Sequence, residues 1–358
     1  MTMAKNGQIE GGAVLGRVLS VLVILAGILF AAQLCLASPA DHSQVPSIFD
    51  PHSGNADLLY RLSGFVLSIT GLIFVVVFTL LVYVVIRFRE RPTNAGREPA
   101  QVYGSNQIEL AWTVIPILIV VVLFLATARV IHAIQDAPEP AEALEVTAIG
   151  HQFWWEYRFP ALGVVTANEL HIPVSDRAHP RPTFLKLLSA DTDHSFWVPQ
   201  LGGKTDLIPN HINRIWFSPQ ETGLFLGQCA QYCGTQHAKM LLRVSVESEE
   251  DFDAWIQAQK EPAIQDEKES AGRRVFETTA CLNCHAVGGT NGTGRFGPDL
   301  THLMSRQTIA AGAAENTPAN LRLWIQNPDA IKFGSLMPAM KLSDADLDAL
   351  VRYLETLK

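Results

Sequence analysis

Residues 229–240 read Cys229-Ala230-Gln231-Tyr232-Cys233-Gly234-Thr235-Gln236-His237-Ala238-Lys239-Met240. Two thiols, an imidazole and a thioether fall within this one short stretch. Soft and borderline ligands of that kind favour copper or zinc over harder cations. A mononuclear blue-copper site uses one cysteine, whereas two thiolates in one loop can bridge a pair of copper ions. Zinc is the alternative, although tetrahedral zinc sites take N and S ligands among which methionine is unusual. A further histidine, His194, lies in Asp191-Thr192-Asp193-His194-Ser195-Phe196-Trp197-Val198-Pro199, a second loop able to meet the first.

The sequence around both loops is that of a β-protein. Short apolar runs at 144–149, 183–188, 212–217 and 241–246 alternate in strand fashion, with Pro and Gly between them. Many short strands with turn signals predict an all-β sandwich or barrel over residues 140–248. Downstream, 249–267 is polar and charged and serves as a linker, with one short helical run at 250–259.

Beyond the linker stands Cys281-Leu282-Asn283-Cys284-His285, two thiols followed at once by an imidazole. CxxC alone also serves redox dithiols, but CxxCH is the signature of covalent haem attachment. Both thiols bond the porphyrin and His285 binds the iron. The second axial ligand is expected in Lys332-Phe333-Gly334-Ser335-Leu336-Met337-Pro338, at Met337, with Met304 and Met340 as competitors. His/Met ligation suits an electron carrier of raised potential. A helical pattern over 342–357, with Ser343 as N-cap, closes a small all-α domain over 268–358.

The chain has 358 residues, enough for two or three domains, and a net charge of −8. That balance, without a basic cluster interleaved with aromatics, gives no support for nucleic-acid binding. Of the five cysteines, four lie in the two clusters and only Cys35 is left over, so a disulfide framework has almost nothing to build with. The apolar excess is concentrated before residue 135. Residues 1–40 carry Lys5 and Arg17, an apolar run over 18–36 and small residues at its end, the pattern of a signal peptide; an uncleaved anchor is the alternative. Apolar runs at 62–86 and 110–128 lack charge and predict a transmembrane hairpin within 41–135, with helices over about 60–87 and 108–132. Arg87, Arg89, Arg91 and Arg97 between them assign that loop to the cytoplasm and everything after about residue 132 to the far side.

Several pieces together resemble subunit II of the haem-copper cytochrome c oxidases. They are Gly150-His151-Gln152-Phe153-Trp154-Trp155, His194-Ser195-Phe196-Trp197-Val198-Pro199, Lys204-Thr205-Asp206-Leu207-Ile208-Pro209, the 229–240 loop and Glu109-Leu110-Ala111-Trp112-Thr113-Val114-Ile115-Pro116. The resemblance spans about residues 45–260. It implies a cupredoxin fold and the binuclear copper centre CuA. His194, Cys229, Cys233, His237 and Met240 would then ligate by side chains and Gln231 by its backbone carbonyl. Gln231 departs from relatives whose glutamate helps bind magnesium, and an amide is a weaker ligand for a hard cation. Phe153 departs from relatives whose tryptophan accepts the electron; Trp154 and Trp155 remain as candidate relays beside it. Glu109 matches the glutamate that relatives place at the mouth of a proton channel in subunit I.

Residues 268–358 resemble class I cytochromes c, on CxxCH, Gly297-Pro298-Asp299-Leu300 and the Met337 loop. A subunit II fused to a cytochrome c resembles the caa-type oxidases of bacteria. It implies a multi-pass protein of the bacterial cell membrane with its copper and haem domains in the periplasm. Partners would be subunit I, subunit III and a c-type cytochrome or other reduced donor. Electrons would pass from donor to haem c to CuA to subunit I, where oxygen is reduced to water with proton pumping. This chain has no histidine array for an oxygen-reducing site. The rival readings are a membrane-tethered electron carrier without an oxidase, nitrous oxide reductase, for whose propeller the chain has no room, and a quinol-oxidase subunit II, which lacks the copper cysteines.

Overall fold

The computed structural model describes residues 46–90, 96, 98, 101, 103–137, 139–175, 180–263 and 266–358. The expected signal peptide, Cys35, Arg91 and Arg97 lie outside the described residues. The chain divides into two units, one containing 62–128 and the other 43–61 with 129–358.

The first unit holds the greater part of two helices, α1 (Gly54–Arg87) and α2 (Asn106–Gln135). Both are long and apolar enough to cross a membrane. At 1.5 Å per residue each exceeds the roughly 30 Å hydrocarbon thickness. Apolar side chains such as Leu72, Phe74, Trp112 and Phe124 point outward, as lipid-facing helices require. Pro116 sits inside α2. The helices begin before the apolar runs that announce them. The apolar run marks only the lipid-depth part, and residues 54–61 belong to the second unit, where Asn55 and Ala56 are buried.

The second unit holds a ten-stranded β-sandwich followed by a helical domain. The strands are β1 (Leu144–His151), β2 (Trp154–Phe159), β3 (Val164–Ala167), β4 (Glu169–Pro173), β5 (Thr183–Ser189), β6 (His194–Trp197), β7 (Thr205–Leu207), β8 (Asn213–Phe217), β9 (Gly223–Cys229) and β10 (Leu241–Glu247). They form sheets of order β3-β2-β1-β5-β8 and β4-β10-β9-β6-β7. Pairs β1·β5 and β4·β10 are parallel, the others antiparallel. Alternate residues of β5 and β10 are buried, because successive side chains of a strand face opposite ways. Their inward faces meet Trp155, Tyr157, Phe159, Phe196 and Phe217 in one core.

The stretch after the sandwich folds as α3 (Glu249–Lys260), capped by Ser248, whose side chain accepts from the Asp251 amide at 3.1 Å. It does more than connect. Phe252 and Ile256 join the sandwich core, and Trp255 stacks on His171 with ring centroids 4.3 Å apart.

The last domain comprises α4 (Ser270–Thr278), α5 (Cys281–Cys284), the two-stranded β11 (Thr308–Ile309) and β12 (Ala314–Glu315), α6 (Pro318–Gln326), α7 (Pro328–Ile331) and α8 (Asp344–Glu355). Ser343 caps α8, as its sequence predicts. Helices α4 and α8 touch at Gly272, where any Cβ would clash with the Ala349 carbonyl and Tyr353. The chain is therefore a membrane hairpin, a cupredoxin-like sandwich and a helical cytochrome c domain, the architecture expected of it.

Candidate metal and haem sites

Residues 229–240 are the loop of the β9–β10 hairpin. Leu241 pairs with Gln228, and the Cys229 amide donates to the Met240 carbonyl at 2.9 Å, closing the loop's base. His194 arrives on β6, paired to β9 with Phe196 opposite Cys229. The Ala230 amide donates to the Ser195 carbonyl at 3.0 Å, which ties the two loops together. Strand register thus delivers donors separated in sequence to one end of the sandwich.

Those donors converge. The Cys229 and Cys233 sulfurs lie 3.9 Å apart. His194 Nδ1 is 4.0 Å from Cys229 Sγ and His237 Nδ1 is 3.7 Å from Cys233 Sγ. Met240 Sδ is 3.8 Å from Cys233 Sγ, and the Gln231 carbonyl is 3.2 Å from Cys229 Sγ. His194, Cys229, Cys233 and Met240 are buried. The Gln231 side chain is exposed. The Cys233 side chain holds the Cys229 thiol well below the ordinary thiol range, while Cys229 pushes Cys233 up. Two buried sulfurs that cannot both ionise alone would do so around cations, which fits a shared metal pair.

Asp191 supports this site from behind. Its carboxylate lies 2.8 Å from His194 Nε2 and accepts from the Gln152 and Thr192 amides, each at 2.7 Å. Burial works to raise the carboxyl, and the bonds from His194, Thr192 and Gln152 outweigh it, leaving it below its ordinary value. A carboxylate on the far imidazole nitrogen fixes the ring so that Nδ1 faces the Cys229 sulfur.

The second site is a cavity whose wall includes Cys281, Cys284, His285, Pro298, Met337 and Met340. His285 Nδ1 is 2.7 Å from the Pro298 carbonyl. A carbonyl only accepts, so Nδ1 carries the hydrogen and Nε2 is left free to ligate. Gly297 lies against the same ring, and a Cβ there would strike it. Burial pushes the His285 pKa down, favouring the neutral ligating form. Arg306 is buried in the wall with its Nε unpartnered. A guanidinium so placed fits a carboxylate of a bound porphyrin, and apolar walls with paired thiols fit its ring. Met337 and Met340 both line the cavity; Met304 packs against the domain core instead.

The three aromatic relay candidates divide between the sites. Phe153 and Trp154 line the haem-type cavity, with Trp154 stacked on His151 at 4.2 Å. Trp155 is wholly buried, edge-on to His194 at a centroid distance of 6.0 Å. Glu109 lies in the first turn of α2, exposed and in the other unit. Sequence reasoning missed Gln152, Asp191, Arg306 and Lys332 as site residues. Asp191 left one signal, an acid three residues before a candidate ligand histidine; Arg306 left none, because only the tertiary fold turns it inward.

Comparison with known proteins shows the chain's family. Family models match at 43–130 (cytochrome c oxidase subunit II, transmembrane domain), 180–247 (cytochrome c oxidase subunit II, periplasmic domain) and 269–358 (cytochrome c). Cytochrome c oxidase subunit 2 of Alkalihalophilus pseudofirmus is 35% identical, the alignment covering 86% of this chain and 90% of that protein. That of Bacillus subtilis is 32% identical over 77% of this chain and 82% of the relative. Quinol oxidase subunit 2 of Bacillus spizizenii is 33% identical, but over 59% of this chain and 65% of the relative. The solved periplasmic domain of subunit II of cytochrome oxidase from Bradyrhizobium japonicum is 29% identical, covers 34% of this chain and 96% of its own, and has a TM-score of 0.32. Copper and haem c are the groups these domains imply. With its hairpin, its copper-type loop and its CxxCH cavity, the chain belongs to the cytochrome c oxidase subunit 2 family and carries a cytochrome c domain at its C-terminal end.

Proposed function

We propose that this chain is the electron-entry subunit of a terminal respiratory oxidase. When bound, haem c and the copper pair supply one-electron chemistry, taking electrons from a c-type donor and delivering them to subunit I, where oxygen is reduced and protons are pumped. The observation that carries this reading is the 3.9 Å approach of two sulfurs between two imidazole Nδ1 atoms, in a chain that also holds a CxxCH cavity.

In this reading His194, Cys229, Cys233, His237 and Met240, with the Gln231 carbonyl, hold the copper pair. Cys281 and Cys284 would anchor the porphyrin, and His285 and Met337 would bind its iron. The residues' work is to bind, orient and exclude water. Asp191 and Pro298 fix the two imidazoles whose partners are known, and the sandwich core keeps solvent from the thiols. A buried, preorganised donor set reorganises little when charge changes, which favours fast transfer. Phe153, Trp154 and Trp155 are the candidate relay. Glu109 is assigned to a proton-channel mouth in subunit I. Magnesium forms no part of the proposal.

Purification of the native complex in mild detergent tests the reading. An oxidase subunit brings with it a haem-bearing, oxygen-reducing partner; a chain that purifies alone, with haem c only, is a tethered carrier and contradicts the proposal.

A further inference from the structure

Three consecutive residues of the cytochrome c domain are clasped by the sandwich. Lys239 Nζ donates to the Ile331 carbonyl at 2.6 Å, and Gln236 Nε2 donates to the Phe333 carbonyl at 2.5 Å. Between them Lys332 reaches back. Its Nζ donates to the Phe153 carbonyl at 2.7 Å and to the Ala310 carbonyl at 2.9 Å. Gln236 and Lys239 flank His237 in the copper loop, and residues 331–333 belong to the segment that runs into Met337. The clasp therefore joins the two ligand-bearing loops themselves.

Lys332 is 2% exposed, and its amine bonds two backbone carbonyls. Burying an amine there is costly unless its hydrogens are satisfied; the Ala310 carbonyl comes from the same domain, whereas the Phe153 carbonyl comes from the sandwich and is present only while the domains are docked this way. Gln152 continues the connection. Its Nε2 donates to the Cys233 carbonyl at 2.6 Å, and one peptide link joins it to Phe153. Lys332, Phe153 and Trp154 all stand in the wall of the haem-type cavity.

Building on the function proposed above, we infer that Lys332 is the positioning residue that docks the mouth of the haem cavity onto residues 152–154 and so completes a covalent and hydrogen-bonded route to the copper cysteines. The route runs from Lys332 Nζ to the Phe153 carbonyl, through the chain to Gln152, and from Gln152 Nε2 to Cys233. One electron leaves haem c and one arrives at the copper pair; Lys332 transfers no proton and no atom. Docking replaces a diffusive search between tethered domains with one fixed geometry, an addition to what the tether supplies.

The test uses the full-length chain in detergent, loaded with copper and haem. In Lys332→Met and Lys332→Gln, amide hydrogen exchange of 150–155 and 331–337 is measured beside light-triggered electron transfer from haem c to copper. Lys332→Met should raise exchange in both segments together and slow transfer by about tenfold or more, as loss of a buried donor at the docking contact implies. The copper paramagnetic signal should not change, because the Lys332 amine bonds none of the copper-loop donors. Lys332→Gln, which keeps a donor, should fall between. Wild-type exchange and transfer in either spectrally intact variant overturns the inference. Amine labelling of the wild-type chain decides independently of any variant: Lys332 should react far more slowly than the exposed Lys341 and Lys358, and equal reactivity overturns the clasp. A wild-type chain without a copper signal would strike the functional reading instead, leaving the clasp to be judged by exchange and labelling.

Discussion

The copper loop is framed by sheet hydrogen bonds, whereas the haem-type cavity is framed by apolar side chains. In the loop, sheet hydrogen bonds at Cys229, Ala230 and Met240 close the base, and the core beneath is already packed. In the cytochrome c domain, Leu300, Leu321, Ile325, Leu350 and Leu354 line the cavity that holds Cys281, Cys284 and His285 in its wall. The scaffold sets the geometry of one site, whereas the cofactor completes the other. Losing the copper should therefore cost the sandwich little, while losing the haem should cost the cytochrome c domain its core.

The largest expected effect breaks that contrast most directly. Cys281→Ala with Cys284→Ala prevents covalent attachment and leaves an apolar cavity where a ring should be. Destabilisation on the order of 5 kcal/mol or more follows, and residues 268–358 should lose amide protection while the sandwich keeps its own. The mirror-image change, Cys229→Ser, should abolish the copper signal yet leave sandwich protection and the haem band intact. Concerted loss of protection across both domains in either variant would erase the distinction.

A backbone-level change sharpens the account of the haem domain. Gly272→Val drives a side chain into the Ala349 carbonyl at the α4–α8 crossing, and about 3 kcal/mol should be lost in denaturant titration followed by the haem band. On the copper side, Asp191→Asn keeps the shape and removes the charge behind His194. Copper affinity should fall roughly 10–100-fold with sandwich stability little changed.

The smallest effect is pH-dependent and belongs to the sandwich alone. Glu156 is 5% exposed and meets His151 at 3.1 Å and Arg158 at 2.5 Å. Burial acts to raise its carboxyl, but the bonds from His151 and Arg158 outweigh burial and hold it below its ordinary value of 4.5. The carboxylate thus contributes stability above that value, and the contribution is lost as pH falls through the lower native one. Glu156→Gln should cost about 1–3 kcal/mol near neutral pH, and the difference from wild type should shrink in acid. A pH-independent difference would mean that packing, not charge, is what Glu156 supplies.

What was legible in the sequence follows the same division. Local signals were plain: CxxCH, the cysteine loop, Ser343 as a cap and the apolar runs all depend on neighbours in the chain. His194 reads as a second-loop candidate in the sequence, although only the β6–β9 register brings it to the sulfurs. Residues acting through tertiary contacts were not legible. Lys332 reads as a surface lysine until the fold buries it against Phe153, and α3 reads as a connector until Phe252 and Ile256 enter the core. The relay tryptophans could not be ordered, because strand alternation and a loop decide which ring faces which site.

The central claim is that the sulfurs of Cys229 and Cys233 hold two copper ions as one centre. Metal analysis with paramagnetic spectroscopy on the matured full-length chain tests it most directly. The account predicts a pair of coppers for each covalent haem, with hyperfine structure from one unpaired electron shared equally between them. A single copper with an isolated-ion spectrum, or zinc in its place, would contradict it.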